Sequence, residues 1–141
     1  MARYEFPALA EYTEILHAAG KIHLVHMCGK VGGVLELIAE GPFDGIIDVA
    51  PPPTGDCDFR VAREKLCGAG KSLGGGIDCT AFVELAPEEM ENHVFSRLCE
   101  TAPGTGYLLG SGDAVPFGVS IETLRAVVSA LHKYGTYPVQ L

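Results

Sequence analysis

Four times along this chain a short apolar run gives way to a loop rich in glycine, proline or aspartate, and then to apolar residues at helical spacing. That repetition constrains the fold more than any other feature. The first unit runs from Ile22 to Met27, passes Gly29, and returns to helical spacing at Val34, Leu37 and Ile38 before Gly41. The second begins with Gly45 to Val49, crosses Pro51-Pro52-Pro53-Thr54-Gly55-Asp56, and continues with Phe59, Ala62 and Leu66 up to Gly68. Neither helix nor strand tolerates that proline run, so it is a loop. The third has its strand at Ser72 to Ile77 and a helix opened by Pro87, Glu88 and Glu89, with Met90, Val94 and Leu98 as its stripe. In the fourth, Tyr107 to Leu109 leads through a Gly/Asp/Pro loop to Ser120, an N-cap, and to Ile121, Leu124, Val127, Val128 and Leu131, ending at Gly135.

A helix precedes these units. Phe6 to Ala19 sets Leu9, Tyr12 and Leu16 at helical spacing and stops at Gly20, a residue suited to the left-handed position after a helix. Strands alternating with helices predict an α/β fold with a parallel sheet, because each helix supplies the crossover that parallel neighbours require. An open doubly wound sheet and a partial (β/α)8 barrel both satisfy the pattern. A whole barrel needs about 250 residues, so 141 residues cannot close one. A dinucleotide turn would favour the open sheet, but neither Gly29-Lys30-Val31-Gly32-Gly33 nor Gly74-Gly75-Gly76 has the G-x-G-x-x-G spacing or its acidic partner.

Charge narrows the partners. A net charge of −8 argues against nucleic acid or an anionic membrane as the main partner, and 48% hydrophobic residues predict a single domain, 1–141, with a real core. No apolar run approaches the roughly 18 residues of a membrane span, and the start lacks the order of a signal peptide, so a cytoplasmic protein is expected. Five cysteines in no regular pattern do not form a secreted disulfide framework. Cys67 and Cys99, near helix ends, read as small apolar fillers, and Cys57 is equivocal. His17, His93 and His132 read as solvated surface, and His23 as hydrogen-bonded between strand and helix.

In parallel sheets the working face is the carboxyl end of the strands. The polar residues there are His26 and Cys28, Asp48 and Asp56, Asp78 and Cys79, and Ser111 and Asp113. His26 and Cys28 lie two apart on an extended segment and so share a side, with Ile22 and Leu24 of the same parity below them on the inner face. Imidazole with thiolate suits zinc, although both residue types are also common in sites without ligands. Asp113 and Cys79 are the candidate third ligands. Asp48 and Asp78 read either as caps of the following loops or as ligand contacts. Gly74 to Gly76 either relieves crowding or lets a flat ligand approach the backbone.

Taken together, His26-Met27-Cys28-Gly29, Asp48 with Pro51-Pro52-Pro53-Thr54-Gly55-Asp56, Gly74-Gly75-Gly76-Ile77-Asp78, Ala86-Pro87-Glu88-Glu89, Gly112-Asp113-Ala114-Val115-Pro116 ahead of Ile121-Glu122-Thr123, and Tyr134-Gly135-Thr136-Tyr137-Pro138 closely resemble the carboxyl-terminal part of the uroporphyrinogen decarboxylase superfamily. The resemblance covers nearly the whole chain from about Phe6. It implies a partial (β/α)8 TIM barrel of about four carboxyl-terminal strand–helix units with parallel strands. It also implies one of two chemistries: decarboxylation of uroporphyrinogen without a cofactor, or zinc-dependent methyl transfer between a corrinoid and a thiol or related acceptor.

Members that methylate coenzyme M carry H-x-C in the strand matching Ile22 to Cys28 and a further cysteine in the loop matching Gly112-Asp113, all three on zinc. Decarboxylases lack the H-x-C pair and place a histidine in that loop. This chain has the first signature and, at the second, Asp113. The resemblance therefore favours a methyltransferase with His26, Cys28 and Asp113 on zinc. A carboxylate is an acceptable zinc ligand that leaves the metal a stronger Lewis acid than a thiolate would. Asp113 and Asp78 are then the expected catalytic residues, Asp48, Gly75 and Gly76 contact a small-molecule substrate, and a corrinoid on a partner protein is the methyl donor. Asp113 as a base without metal and Cys79 as third ligand remain open. Half a barrel leaves two sheet edges and an apolar inner face uncovered, so a homodimer or a complementary half-barrel is expected, and a noncatalytic subunit is the alternative from another class.

Overall fold

The computed structural model describes residues 1–101, 105–137 and 139; Pro138 of the closing motif lies outside them. The chain opens with helix α1 (Phe6–Ala18), followed by strand β1 (Leu24–His26), a 3-10 turn (Gly32–Val34) and helix α2 (Leu35–Ala39). Next come β2 (Gly45–Val49), α3 (Phe59–Gly68), β3 (Ser72–Ile77), the one-turn α4 (Ala81–Glu84), α5 (Pro87–Thr101), β4 (Tyr107–Ser111) and α6 (Ile121–Tyr134). The four strands form one parallel sheet in the order β1-β2-β3-β4. The order follows from the crossovers, each of which carries the chain back over one face to the next strand position.

Local chemistry fixes the helix starts. The Asp58 carboxylate accepts hydrogen bonds from the Arg60 and Val61 amides at the start of α3, and Ser120 Oγ accepts from the Thr123 amide at the start of α6. Glu89 reaches back to the Ala86 amide at 2.8 Å ahead of α5. The stripes of α3 and α5 then bury against the sheet, whereas Tyr12 of the α1 stripe and Ile121 and Val128 of the α6 stripe are more than half exposed. Ile38, Ile46, Val49, Leu66, Leu73, Met90 and Val94 are all fully buried, and α6 locks onto α5 through the Phe95 and Tyr134 rings, 4.8 Å apart. Tyr107 spans the layer: its hydroxyl donates to the Gly75 carbonyl at 2.9 Å, and burial pushes its pKa well above the ordinary phenol value.

Three expectations change. Strand β1 is shorter than Ile22 to Met27, and Ile22 is 69% exposed instead of lining an interior. The reason is at its start, where the Asp44 carboxylate takes the His23 amide at 2.6 Å and, among the described residues, no strand lies on the far side. His93 is half-buried, with Nε2 enclosed and no hydrogen-bond partner, on the side of α5 that carries Arg97 and Glu100; burial, then the Arg97 guanidinium, lowers its pKa. Cys99 is exposed and fills nothing. His23 stands where expected, its Nδ1 2.8 Å from Thr13 Oγ1 of α1. Among the described residues no helix is long and apolar enough to cross a membrane.

Candidate functional site at the strand ends

The carboxyl ends of the four strands bring most of the expected residues to one rim. His26 closes β1, and its Nδ1 lies 2.8 Å from Asp48 Oδ2 at the end of β2. Asp48 reaches it from a left-handed backbone, φ 63°, where the β2–β3 register shifts between Ile46 and Val49. Aspartate tolerates that region better than most residues, and the irregularity turns its carboxylate toward the neighbouring strand. A carboxylate can only accept, so Nδ1 carries a proton and donates it, which leaves the lone pair of the neutral ring on Nε2. The pair is too exposed to add much stability. Its effect is to fix the orientation and tautomer of His26.

Asp78, at the end of β3, is 3% exposed and fully engaged. One oxygen accepts from the Thr80 amide and hydroxyl at 2.9 and 2.8 Å, and the other accepts from the Thr54 amide at 2.9 Å and the Thr54 hydroxyl. Burial alone would raise its pKa, but these four donors outweigh burial and hold it below the usual carboxylate range. Asp78 therefore clamps the loop after β2 to the loop after β3. Asp56 makes the matching tie toward β1, its Oδ1 accepting from the Gly32 amide at 2.9 Å.

Between these loops lies a cavity of about 390 Å³ lined by Cys28, Gly29, Ala50, Thr54, Cys79, Gly112, Asp113 and Ala114. Four strand ends thus contribute to one concavity, as expected of a working rim. Cys79 Sγ stands 3.5 Å from Ser111 Oγ, and Asp113 accepts from the Ala114 amide at 2.7 Å while remaining exposed. A second cleft of about 380 Å³ opens between the loop after β2, α3 and α5; Asp56 lines it, and its Arg97 is turned onto Glu100 at 2.7 Å.

The structure brings Cys28, Cys79 and Asp113 to one cavity and pairs His26 with Asp48 outside its lining. Among the described residues no three His, Cys, Asp or Glu side chains are grouped so that they could hold a metal ion. The donor types suit zinc, but as they stand the residues are not grouped to hold an ion. Gly75 and Gly76 have packing reasons for their identity: at φ 121° and 108°, a Cβ on the first would strike the Val49 backbone and on the second the Tyr107 hydroxyl. Both are buried and neither lines the cavity. Cys57 is buried, and burial followed by the adjacent Asp56 and Asp58 charges pushes its thiol up to about 12, which makes it a poor nucleophile.

The sequence reading did not foresee the Asp48–His26 pair or the threonine partners of Asp78. The pair was open to inference only through the strand register. Thr54 and Thr80 each lie in a loop next to a strand-end aspartate, a weak signal by itself.

The sequence profile of the family "Uroporphyrinogen decarboxylase (URO-D)" matches residues 2–134. A uroporphyrinogen decarboxylase of Anaeromyxobacter dehalogenans (strain 2CP-C) is 27% identical over 140 residues, covering 96% of this chain and 36% of the relative. A methyltransferase from Methanosarcina mazei superposes with a TM-score of 0.69 at 17% identity, covering 88% of this chain and 34% of that one. The chain spans about a third of the length of either protein. With four parallel strands, their crossover helices and a cavity at the strand ends, the chain is a partial barrel and belongs to the uroporphyrinogen decarboxylase family.

Proposed function

We propose that this chain supplies the carboxyl-terminal half of a barrel that transfers a methyl group from a corrinoid on a partner protein to a thiol or pterin-type acceptor held in the cavity of Cys28, Cys79 and Asp113. The observation that carries this reading is the shared cavity wall of Cys28 and Asp113 beside the oriented His26, in a loop that has Asp113 where a decarboxylase has histidine. A thiol acceptor loses its proton as its sulfur takes the methyl group, and the corrinoid keeps the electron pair of the broken bond. Asp113, exposed on the cavity wall, is this chain's own group placed to receive that proton. Asp78 acts at one remove, holding Thr54 on the cavity wall. Zinc on His26, Cys28 and Asp113 is the alternative to Asp113 as a free base, and it requires the three side chains to draw together from where they stand.

Decarboxylation is the second reading, supported by the 27% identical decarboxylase. Assays on this chain, joined to the half that completes its barrel, separate the two. Loss of the methyl group from methylcobalamin in the presence of a thiol, abolished in Cys28→Ser, is the expected result. Conversion of uroporphyrinogen to coproporphyrinogen would overturn the first reading in favour of the second, and neither reaction would leave a noncatalytic subunit.

A further inference from the structure

The wall of the strand-end cavity is built for one sign of charge. Among the described residues that line it, Asp113 is the only carboxylate and none is basic. Another carboxylate stands directly behind the wall. Asp78 holds both Thr54 donors from the far side, and although burial opposes its charge, its four donors outweigh burial and keep it ionised. The nearby cations stand clear of the cavity. Lys30 follows Gly29 on the exposed surface without joining the lining, and Arg60 lines the second cleft, beyond the loop after β2. The wall's donors are also spoken for: the Thr54 amide and hydroxyl go to Asp78, the Ala114 amide to Asp113 Oδ1, and the Gly112 amide to the Ile77 carbonyl. An anion would find few donors there, whereas Asp113 has a second oxygen to offer a cation.

We infer that the acceptor this wall selects is a thiol carrying a cationic group, such as an ammonium, in place of an anionic one, and that Asp113 sets the choice. The inference rests on the proposed acceptor site and names its substrate class. Volume does not discriminate, since about 390 Å³ is ample for a short thiol of either charge. Charge and unpaired oxygens do.

One carboxylate about 6 Å from a ligand charge, at the dielectric constant of water, changes affinity about threefold, raising it for a cation and lowering it for an anion. The two charge types therefore differ by about tenfold for Asp113 alone, and Asp78 behind Thr54 acts in the same direction. An ammonium near the sulfur also eases loss of the thiol proton, because a nearby positive charge favours the thiolate. The carboxylate placed to take that proton thus also selects the charge of the molecule that delivers it.

The test compares three thioethers of one length on the full chain: cationic 2-(methylthio)ethylamine, neutral 2-(methylthio)ethanol and anionic 2-(methylthio)ethanesulfonate. Iodoacetamide, which is uncharged, labels the cysteines, and mass spectrometry gives the thioether concentration that halves labelling of Cys28 and Cys79, with exposed Cys99 as control. The amine should act at about one tenth the concentration of the sulfonate, with the alcohol between them. The gap should narrow with added salt and in Asp113→Asn, which keeps an oxygen for the Ala114 amide while losing the charge. A sulfonate as effective as the amine, or a gap unchanged in Asp113→Asn, would overturn the inference and leave the site itself standing. Failure of all three to protect Cys28 would overturn the site and the inference together.

Discussion

Replacing Asp78 with alanine tests whether one buried carboxylate holds the rim together. The substitution removes four hydrogen bonds and leaves the Thr80 amide, half-buried beneath the loop, without an acceptor, while the exposed Thr54 groups can turn to water. A buried donor left unpaired costs about 1–3 kcal/mol, and the lost charge-assisted bonds add to that, for a total of about 2–4 kcal/mol. With a urea slope of about 1–3 kcal/mol per molar for domains of this class, the midpoint should fall by about 0.7–4 M. Asp78→Asn keeps one accepting oxygen for Thr80 but turns an amide toward the Thr54 donors, so it should fall between wild type and alanine. The pH dependence has a definite sign. Because the folded pKa of Asp78 is depressed, its contribution is complete above the unfolded value near about 4 and is lost as pH falls through the folded value. The gap between wild type and Asp78→Ala should therefore be constant from about pH 6 to 8 and close only in acid. A loss below about 0.5 kcal/mol, or a gap that closes toward alkaline pH, would refute the clamp.

Other consequences are open to direct measurement. Gly75→Ala forces a Cβ into the Val49 backbone at a positive φ and should cost more than about 3 kcal/mol, whereas Gly110→Ala, in a β4 position where an added Cβ meets nothing within 4 Å, should stay within about 1 kcal/mol by the same denaturation assay. Asp48→Gly relieves the left-handed backbone while losing only an exposed pair, so stability should change by less than about 1 kcal/mol, and Asp48→Val should destabilise more than Asp48→Gly. Zinc titration of the chain should load about one ion per site if the proposed set converges, and Cys28→Ser should abolish it; absence of uptake by wild type would remove zinc from the proposal.

The sequence carried the fold well because each element had a local cause. Ser120 capped α6 and Gly135 ended it, Pro87 with Glu88 and Glu89 opened α5, and the stripes through Leu66 and Val94 went to the core as periodicity required. The departures are tertiary. His93 sits three residues after Met90 and one before Val94, so it flanks the buried stripe on the side of Arg97 and Glu100 and is half-buried once α5 packs. The register shift after Ile46, which swings Asp48 onto His26, has no signature in Gly45 to Val49. The rim residues were legible as a group because strand ends must converge in a parallel sheet. Their pairings were not, because a hydrogen bond between loops depends on loop conformations that residue type alone leaves open.

If the acceptor sits in the cavity between Cys28, Cys79 and Asp113, it shields the two thiols there, and a cysteine footprint measures that most directly. The chain is alkylated with iodoacetamide with and without the methyl thioether of coenzyme M, a product analogue with no free thiol, and each cysteine is quantified by mass spectrometry. Slower labelling of Cys28 and Cys79 with Cys99 unchanged is the predicted pattern, and protection elsewhere, or none at Cys28, would contradict the placement of the site.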